Sequence, residues 1–197
     1  MDRREFLQSA ATAAAAGALV TGAVAATSAE TVSNPLESTE EKKMKKIIMA
    51  ADPFAVDLKD AVKADLIAKG YEVEDVGSQK GQDIAYFDCA PVACKKLQAD
   101  PTARGILFCG TGMGMSIVAN RFAGIHASVV ESVFAAKMCR VINNANVLCL
   151  GAMIWGEWMA KEAVNTFLTT EFTKADGFEP LEGFLQDAFK KVNAIKD

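Results

Sequence analysis

Histidine is almost absent from this chain: its 197 residues include only His126. A zinc centre of the His/Cys kind therefore has too few ligands, and His126 sits in a strand-like run as a structural residue. Positive charge is also scarce. Lysine and arginine number 21 against 25 acidic residues, a net charge of −4, and no long basic cluster occurs. Nothing here offers nucleic acid an electrostatic footprint. The cysteines are five, Cys89, Cys94, Cys109, Cys139 and Cys149, an odd count with no disulfide-framework spacing. Cys89 and Cys94 lie on a predicted helix and do not form a C-x-x-C pair. Long hydrophobic runs are missing too. The stretch from Ala10 to Ala26 is mostly Ala and Gly, too short and too weakly apolar for a spanning helix of about 20 residues. No internal repeat is evident.

What the chain does hold falls into three parts. Arg3-Arg4-Glu5-Phe6-Leu7 is a twin-arginine pattern, followed by the Ala-rich stretch and by small residues at Ala23 and Ala25. Residues 1–26 are thus expected to be an export signal, cleaved to leave a periplasmic or otherwise exported protein without a membrane segment. Residues 27–43, rich in Ser, Thr, Glu and Lys, are expected to be a flexible linker. Residues 44–197 form the body, and an apolar fraction of 51% excludes global disorder.

The body alternates short apolar runs with helical spacing. Ile47–Ala51, Tyr71–Val76, Gly105–Phe108, Ile125–Val130 and Asn146–Leu150 read as strands. Helices are predicted after each, up to Gly70, over Tyr86–Gln98, after the loop at Gly110 as far as Arg121, over Glu131–Val141 and Trp158–Phe172, with a last one over Leu181–Ile195. Five strands alternating with helices predict an α/β fold: a Rossmann-like three-layer sandwich, with a five-stranded parallel sheet and helices on both faces. Ligands of such sheets bind beyond the carboxyl ends of the strands. Asp52, Cys109, Glu131 and Gly151 stand there.

Cys109-Gly110-Thr111-Gly112-Met113-Gly114-Met115-Ser116 is the most informative segment. A buried strand running into a Gly-rich turn and a helix aims several backbone N–H groups at one point, which suits an anion or a developing oxyanion. A thiol at the strand end meets the same positive field, which favours its thiolate. Candidate base and candidate oxyanion hole thus lie within one short segment. The alternative reading of Cys109 is a buried structural thiol, the simplest reading of Cys149.

Gly105–Asn120 resembles the signature of the ribose-5-phosphate isomerase B/galactose-6-phosphate isomerase family. Asn143–Ala152 is similar to a second conserved stretch of that family, and the opening strand with Asp52 and Gly70–Gly77 fit it as well. The resemblance spans roughly Lys45 to Phe172. It implies a homodimer, with tetramers possible in principle, whose active sites are shared across the interface, and an isomerase needing neither metal nor redox cofactor. It also implies that Cys109 is the base moving a proton between C1 and C2 of an aldose. Thr111 and the amides of Gly110, Gly112, Met113, Gly114 and Ser116 would hold the enediolate. Asp52 and Asn143 match substrate-contacting positions, and Arg140 is a further candidate for an anionic substrate.

Departures from the family pattern point to an altered substrate. Pro53 follows Asp52 where a histidine is usual, and Glu131 stands where a ring-opening histidine is expected. Glu131 is therefore the candidate acid/base, against the plainer reading of a solvated helix-start acid. The last helix carries Lys190 and Lys191 but no arginine for a phosphate; lysine offers a point charge rather than a bidentate fork. Together with export, this gives an aldose–ketose isomerase or epimerase acting through an enediol on a small, unphosphorylated sugar. The alternatives are a non-catalytic sugar-binding protein on the same fold and a sugar-phosphate isomerase with an altered phosphate site. Trp155 and Trp158 read as packing residues, or else as a sugar-stacking platform.

Overall fold

The structure, a computed structural model, describes residues 46–195; the expected export signal and linker lie outside the described residues. β1 (Lys46–Ala51) leads through a single 3-10 turn at Pro53–Ala55 into α1 (Val56–Ala68). β2 (Glu72–Asp75), α2 (Tyr86–Ala99), β3 (Arg104–Cys109) and the short α3 (Met113–Ala119) follow. β4 (Ala127–Val129), α4 (Val133–Asn143), β5 (Val147–Gly151) and α5 (Glu157–Thr169) complete the alternation. A second 3-10 turn at Glu179–Leu181 opens α6 (Glu182–Asn193).

The five strands form one wholly parallel sheet in the order β2-β1-β3-β5-β4. Covering both faces of a parallel sheet demands strands without polar alternation, and β1, β3 and β5 are buried almost end to end. Alternate residues feed two cores. Ile47, Met49, Ile106, Phe108, Leu148 and Leu150 pack under α1, α4 and α5. Ile48, Ala50, Leu107, Cys109, Val147 and Cys149 pack under α2 and α3. The expected three-layer α/β sandwich is therefore the observed one.

Element ends differ where tertiary geometry intervenes. The edge strand β4 is shorter than its apolar run, because Ile125 turns back to donate its N–H to Phe122 O. The helix expected to reach Phe172 stops at Thr169: Thr170 is extended, and its hydroxyl donates to Thr166 O at 2.6 Å. Phe172 is thereby released to pack on Phe189 of α6, ring centroids 5.4 Å apart.

Candidate active site

The carboxyl ends of β1, β3 and β5 are tied together by backbone bonds. Asp52 N–H donates to Phe108 O at 3.1 Å, Ala152 N–H to Cys109 O at 2.9 Å, and Met153 N–H to Gly110 O at 2.9 Å. The loop after β5 thus clasps the loop after β3. Two glycines permit this. Gly112 has φ +78°, the left-handed region that disfavours a side chain. At Gly151 a Cβ would sit 2.6 Å from the carbonyl carbon of Thr111, so only glycine lets the loop descend onto β5.

Cys109 closes β3, 4% exposed, and the Gly112 N–H donates to its Sγ at 3.0 Å. The N–H groups of Gly110 and Thr111, outside helix and strand, have no hydrogen-bond partner among the described residues. Met113 N–H reaches Thr111 Oγ1 at 3.4 Å. A sulfur held by one amide, with unpaired amides beside it, has the layout of a base next to an oxyanion hole. Cys149 is fully buried, and desolvation pushes its thiol well above the usual range. Burial also raises Cys89 to about 12, and Cys94 and Cys139 each to about 11.

Asp52 stands beside this loop, 6% exposed, and caps the 3-10 turn by accepting Phe54 N–H at 3.0 Å. Desolvation pushes its carboxyl above the ordinary aspartate range, against the opposing pull of the Phe54 and Ala55 amides. It is therefore both a capping acid and a carboxyl held out of water. Glu131, at the same end of the sheet, is exposed and makes no hydrogen bond or ion pair among the described residues. Its neighbour Ser132 caps α4, accepting Ala135 N–H at 3.1 Å, and Trp155 Nε1 fixes the strand end by donating to Val130 O at 2.9 Å.

Comparison with known proteins gives the family and the fold. The sequence profile of the Ribose/Galactose Isomerase family matches residues 47–179. A 4-deoxy-4-sulfo-D-erythrose isomerase from a Clostridium species is 44% identical over 153 residues, 77% of this chain and 96% of that protein. A D-erythrulose-4-phosphate isomerase from Pectobacterium atrosepticum is 38% identical over 130 residues, 66% and 86% of the two chains. The crystal structure of a ribose 5-phosphate isomerase from Thermotoga maritima superposes with a TM-score of 0.68 at 36% identity, covering 77% of this chain and 99% of that one.

The chain belongs to the ribose/galactose isomerase family. It is an isomerase of the aldose–ketose kind, as its sugar-isomerase relatives are.

Set on the isomerase fold, the predicted site residues divide by position. Asp52, Cys109, Gly110, Thr111, Gly112, Met113, Gly114 and Glu131 gather at one end of the sheet. Ser116 lies midway along α3; its N–H donates to Gly112 O at 3.1 Å, and its hydroxyl donates to Ala127 O at 3.3 Å and accepts from Asn120 Nδ2 at 3.4 Å, so it ties α3 to β4. Arg140 stands apart from that group within one chain. It lies near the far end of α4, 6% exposed, donating to Ala145 O at 2.6 Å and Asn144 Oδ1 at 2.9 Å, and stacks over Phe167. Asn143 also lies at that far end, exposed, where it lines a cavity of about 260 Å³ with Ile142, His126 and Phe189. Within one chain neither residue joins Cys109.

Sequence reasoning missed three supports of the site: the Tyr86 ring packed against Gly114, Met153 over Gly110, and the loop clasp itself. Of these, only the clasp had a sequence signal, the strand-end glycine Gly151.

Proposed function

We propose that the substrate is a short, unphosphorylated sugar ending in a sulfonate, a four-carbon aldose or its ketose partner. Cys109 removes the proton at the carbon next to the carbonyl, and the free amides of Gly110 and Thr111 receive the enediolate oxygen. Returning the proton to the neighbouring carbon completes the isomerisation, with Asp52 holding substrate hydroxyls and Glu131 moving protons on oxygen. The observation that carries this reading is the Gly112–Cys109 contact at 3.0 Å beside two unpaired amides.

The anionic end is inferred from charge. A phosphate monoester carries about −1.5 to −2 at neutral pH, whereas a sulfonate carries one charge. α6 offers only Lys190 and Lys191, and Lys191 is already engaged by Asp187 at 2.8 Å. So sparse a set suits the weaker anion. The similarity to a sulfo-erythrose isomerase supports the same choice.

The chain acts as a homodimer, in which the partner brings its Asn143 end to the Cys109 loop; exposed Phe54, Phe134, Met153 and Trp158 supply apolar surface for such contact. It is exported by the twin-arginine route and works outside the cytoplasm.

The deciding experiment follows deuterium uptake from solvent at C1 and C2 by NMR, using the purified protein with 4-deoxy-4-sulfoerythrose, erythrose 4-phosphate, ribose 5-phosphate and free erythrose. Expected is turnover of the sulfonated tetrose with kcat/KM at least about tenfold above any phosphate, about 1.4 kcal/mol of transition-state preference. Preference for ribose 5-phosphate overturns the substrate. Binding without exchange overturns catalysis in favour of a binding protein. Light scattering on the same sample reads the dimer, which a monomeric mass would refute.

A further inference from the structure

We infer that the amino-terminal end of the sheet holds a second ligand site, for a small tetrahedral oxyanion, built on Arg104 and Arg140. The two guanidinium groups line one cavity of about 340 Å³, together with His126, Asn144, Gly124 and Phe189. That volume exceeds the roughly 30 Å³ share of a single water several-fold. Arg104 is the first residue of β3 and Cys109 the last, so about 16 Å of strand separates this cavity from the thiol of the same subunit. Within one subunit a small sugar bound at the Cys109 loop does not span that distance; where the proposed dimer brings this end to the partner's loop, the inhibition measurement below separates the two sites.

The charge at this site has no ion-pair partner among the described residues. Every ion pair among the described residues is made by a lysine, and neither arginine takes part in one. Arg140 is 94% buried by its 6% exposure. Its Nε and Nη1 are spent on Thr170 O, Asn144 Oδ1 and Ala145 O. Its Nη2 makes no hydrogen bond among the described residues, and no fully buried side-chain nitrogen or oxygen there lacks a partner, so Nη2 is accessible to solvent; Arg140 itself lines the cavity. Among the described residues Arg104 uses only Nη1, toward Thr102 O and Ala103 O, and Nε and Nη2 make no hydrogen bond there. The side chain of His126 has no hydrogen-bond partner among the described residues and rests edge-on against Phe189 at 5.1 Å.

Two cations held this close repel, and burying them costs more. Desolvation, reinforced by Arg104, pulls Arg140 down to about 10, and Glu171, the one carboxylate acting on it, lies beyond ion-pair distance. An anion between the two forks relieves both penalties. Guanidinium donors in a planar fork select oxygens in bidentate geometry, which sulfate, phosphate and organic sulfonates all present.

The test is thermal unfolding and titration calorimetry of the purified protein with sulfate, phosphate and methanesulfonate, against chloride and acetate at equal ionic strength. Sulfate or phosphate at about ten times a Kd on the order of 1 mM should raise the midpoint by roughly 3 °C. Methanesulfonate matching sulfate identifies an organic sulfonate as a fitting occupant; failure of methanesulfonate alone assigns the site to the inorganic ions. Arg104→Gln should lose the response at least tenfold in affinity. Arg104→Glu, which places a carboxylate beside Arg140, should raise the midpoint without any added anion and abolish the response. Cys109→Ala should retain it. A response that survives Arg104→Gln, or an equal gain with chloride, overturns the site. Sulfate acting as a purely competitive inhibitor, and ceasing to do so in Arg104→Gln, overturns its separation from the substrate pocket.

Discussion

Lys59 Nζ meets Asp75 Oδ2 at 2.6 Å, and the lysine has no exposed side-chain surface. The same ammonium donates to Ser78 O at 2.9 Å, and Lys63 reaches the same carboxylate oxygen at 3.0 Å. Together these contacts pin α1 to the end of β2 and to the loop that follows. Ser78 in turn donates its backbone N–H to Ala51 O at 2.8 Å, directly before Asp52. A fully paired charge cluster thus braces the strand end that presents the acid.

Breaking that pair on one side takes from a buried carboxylate its fully buried cation and leaves it Lys63 as its one ammonium partner among the described residues. Lys59→Ala is expected to cost about 3–5 kcal/mol, whereas Lys59→Met, filling the same space, costs less than deleting the side chain. Urea unfolding of the two variants checks the order. A loss of less than about 1 kcal/mol in Lys59→Ala would show the cluster to be solvated.

Acid should act through the same cluster. Burial pushes Asp75 up, but Lys59, Gln79, Lys63 and the Gly77 amide outweigh it and hold the carboxyl below the ordinary range. A carboxyl depressed in the folded state stabilises above its unfolded pKa of about 3.9 and loses that contribution as pH falls through its folded value. Stability should therefore drop steeply below about pH 4, and less steeply in Asp75→Asn, measured by urea midpoints from pH 7 to pH 3.

Asp52 has the opposite sign. Its carboxyl is raised by burial, so the folded state binds its proton more tightly than the unfolded chain does. Ionisation then counts against the fold above the folded pKa, and the penalty disappears as pH falls below the unfolded value. Asp52→Asn keeps a side-chain oxygen for the Phe54 amide. It should unfold at pH 7 no earlier than the parent while losing activity, the mark of a group held for function rather than stability. A destabilised and still active variant would make Asp52 a cap and nothing more.

The fold was legible because the strands that matter are buried on both faces: Ile47–Ala51, Ile106–Cys109 and Val147–Leu150 carry no polar alternation, and Gly or a capping residue punctuates each. The Cys109 loop was legible for a local reason, since a left-handed glycine and a strand-end thiol lie within one short segment. Arg140 was not. Its spacing from Asn143 says nothing about which end of α4 it occupies relative to Cys109, and that end is set by an antiparallel helix folding back on the sheet. Lys59 and the clasp between Ala152 and Cys109 were equally hidden, because their partners are distant in sequence.

Gly151 tests whether the clasp positions the catalytic loop. A Cβ there would meet the backbone of Thr111 at 2.6–2.7 Å, and backbone has no flexible end to yield. Gly151→Ala should therefore lift the Thr111–Gly112 segment off β5 and break the Gly112 contact to Cys109. A displacement on the order of 1 Å in a positioned group costs about 10²-fold in rate. The loss should fall on kcat more than on KM, as for a positioning residue, while Cys109→Ala removes the base itself and loses about 10²–10⁴-fold. Alkylation at pH 8 gives an independent readout. In the parent protein iodoacetamide should label Cys109 alone, because desolvation holds Cys89, Cys94, Cys139 and Cys149 as neutral thiols. In Gly151→Ala that labelling should slow together with kcat. An unchanged labelling rate beside a lowered kcat would mean that the clasp serves the oxyanion amides and not the sulfur.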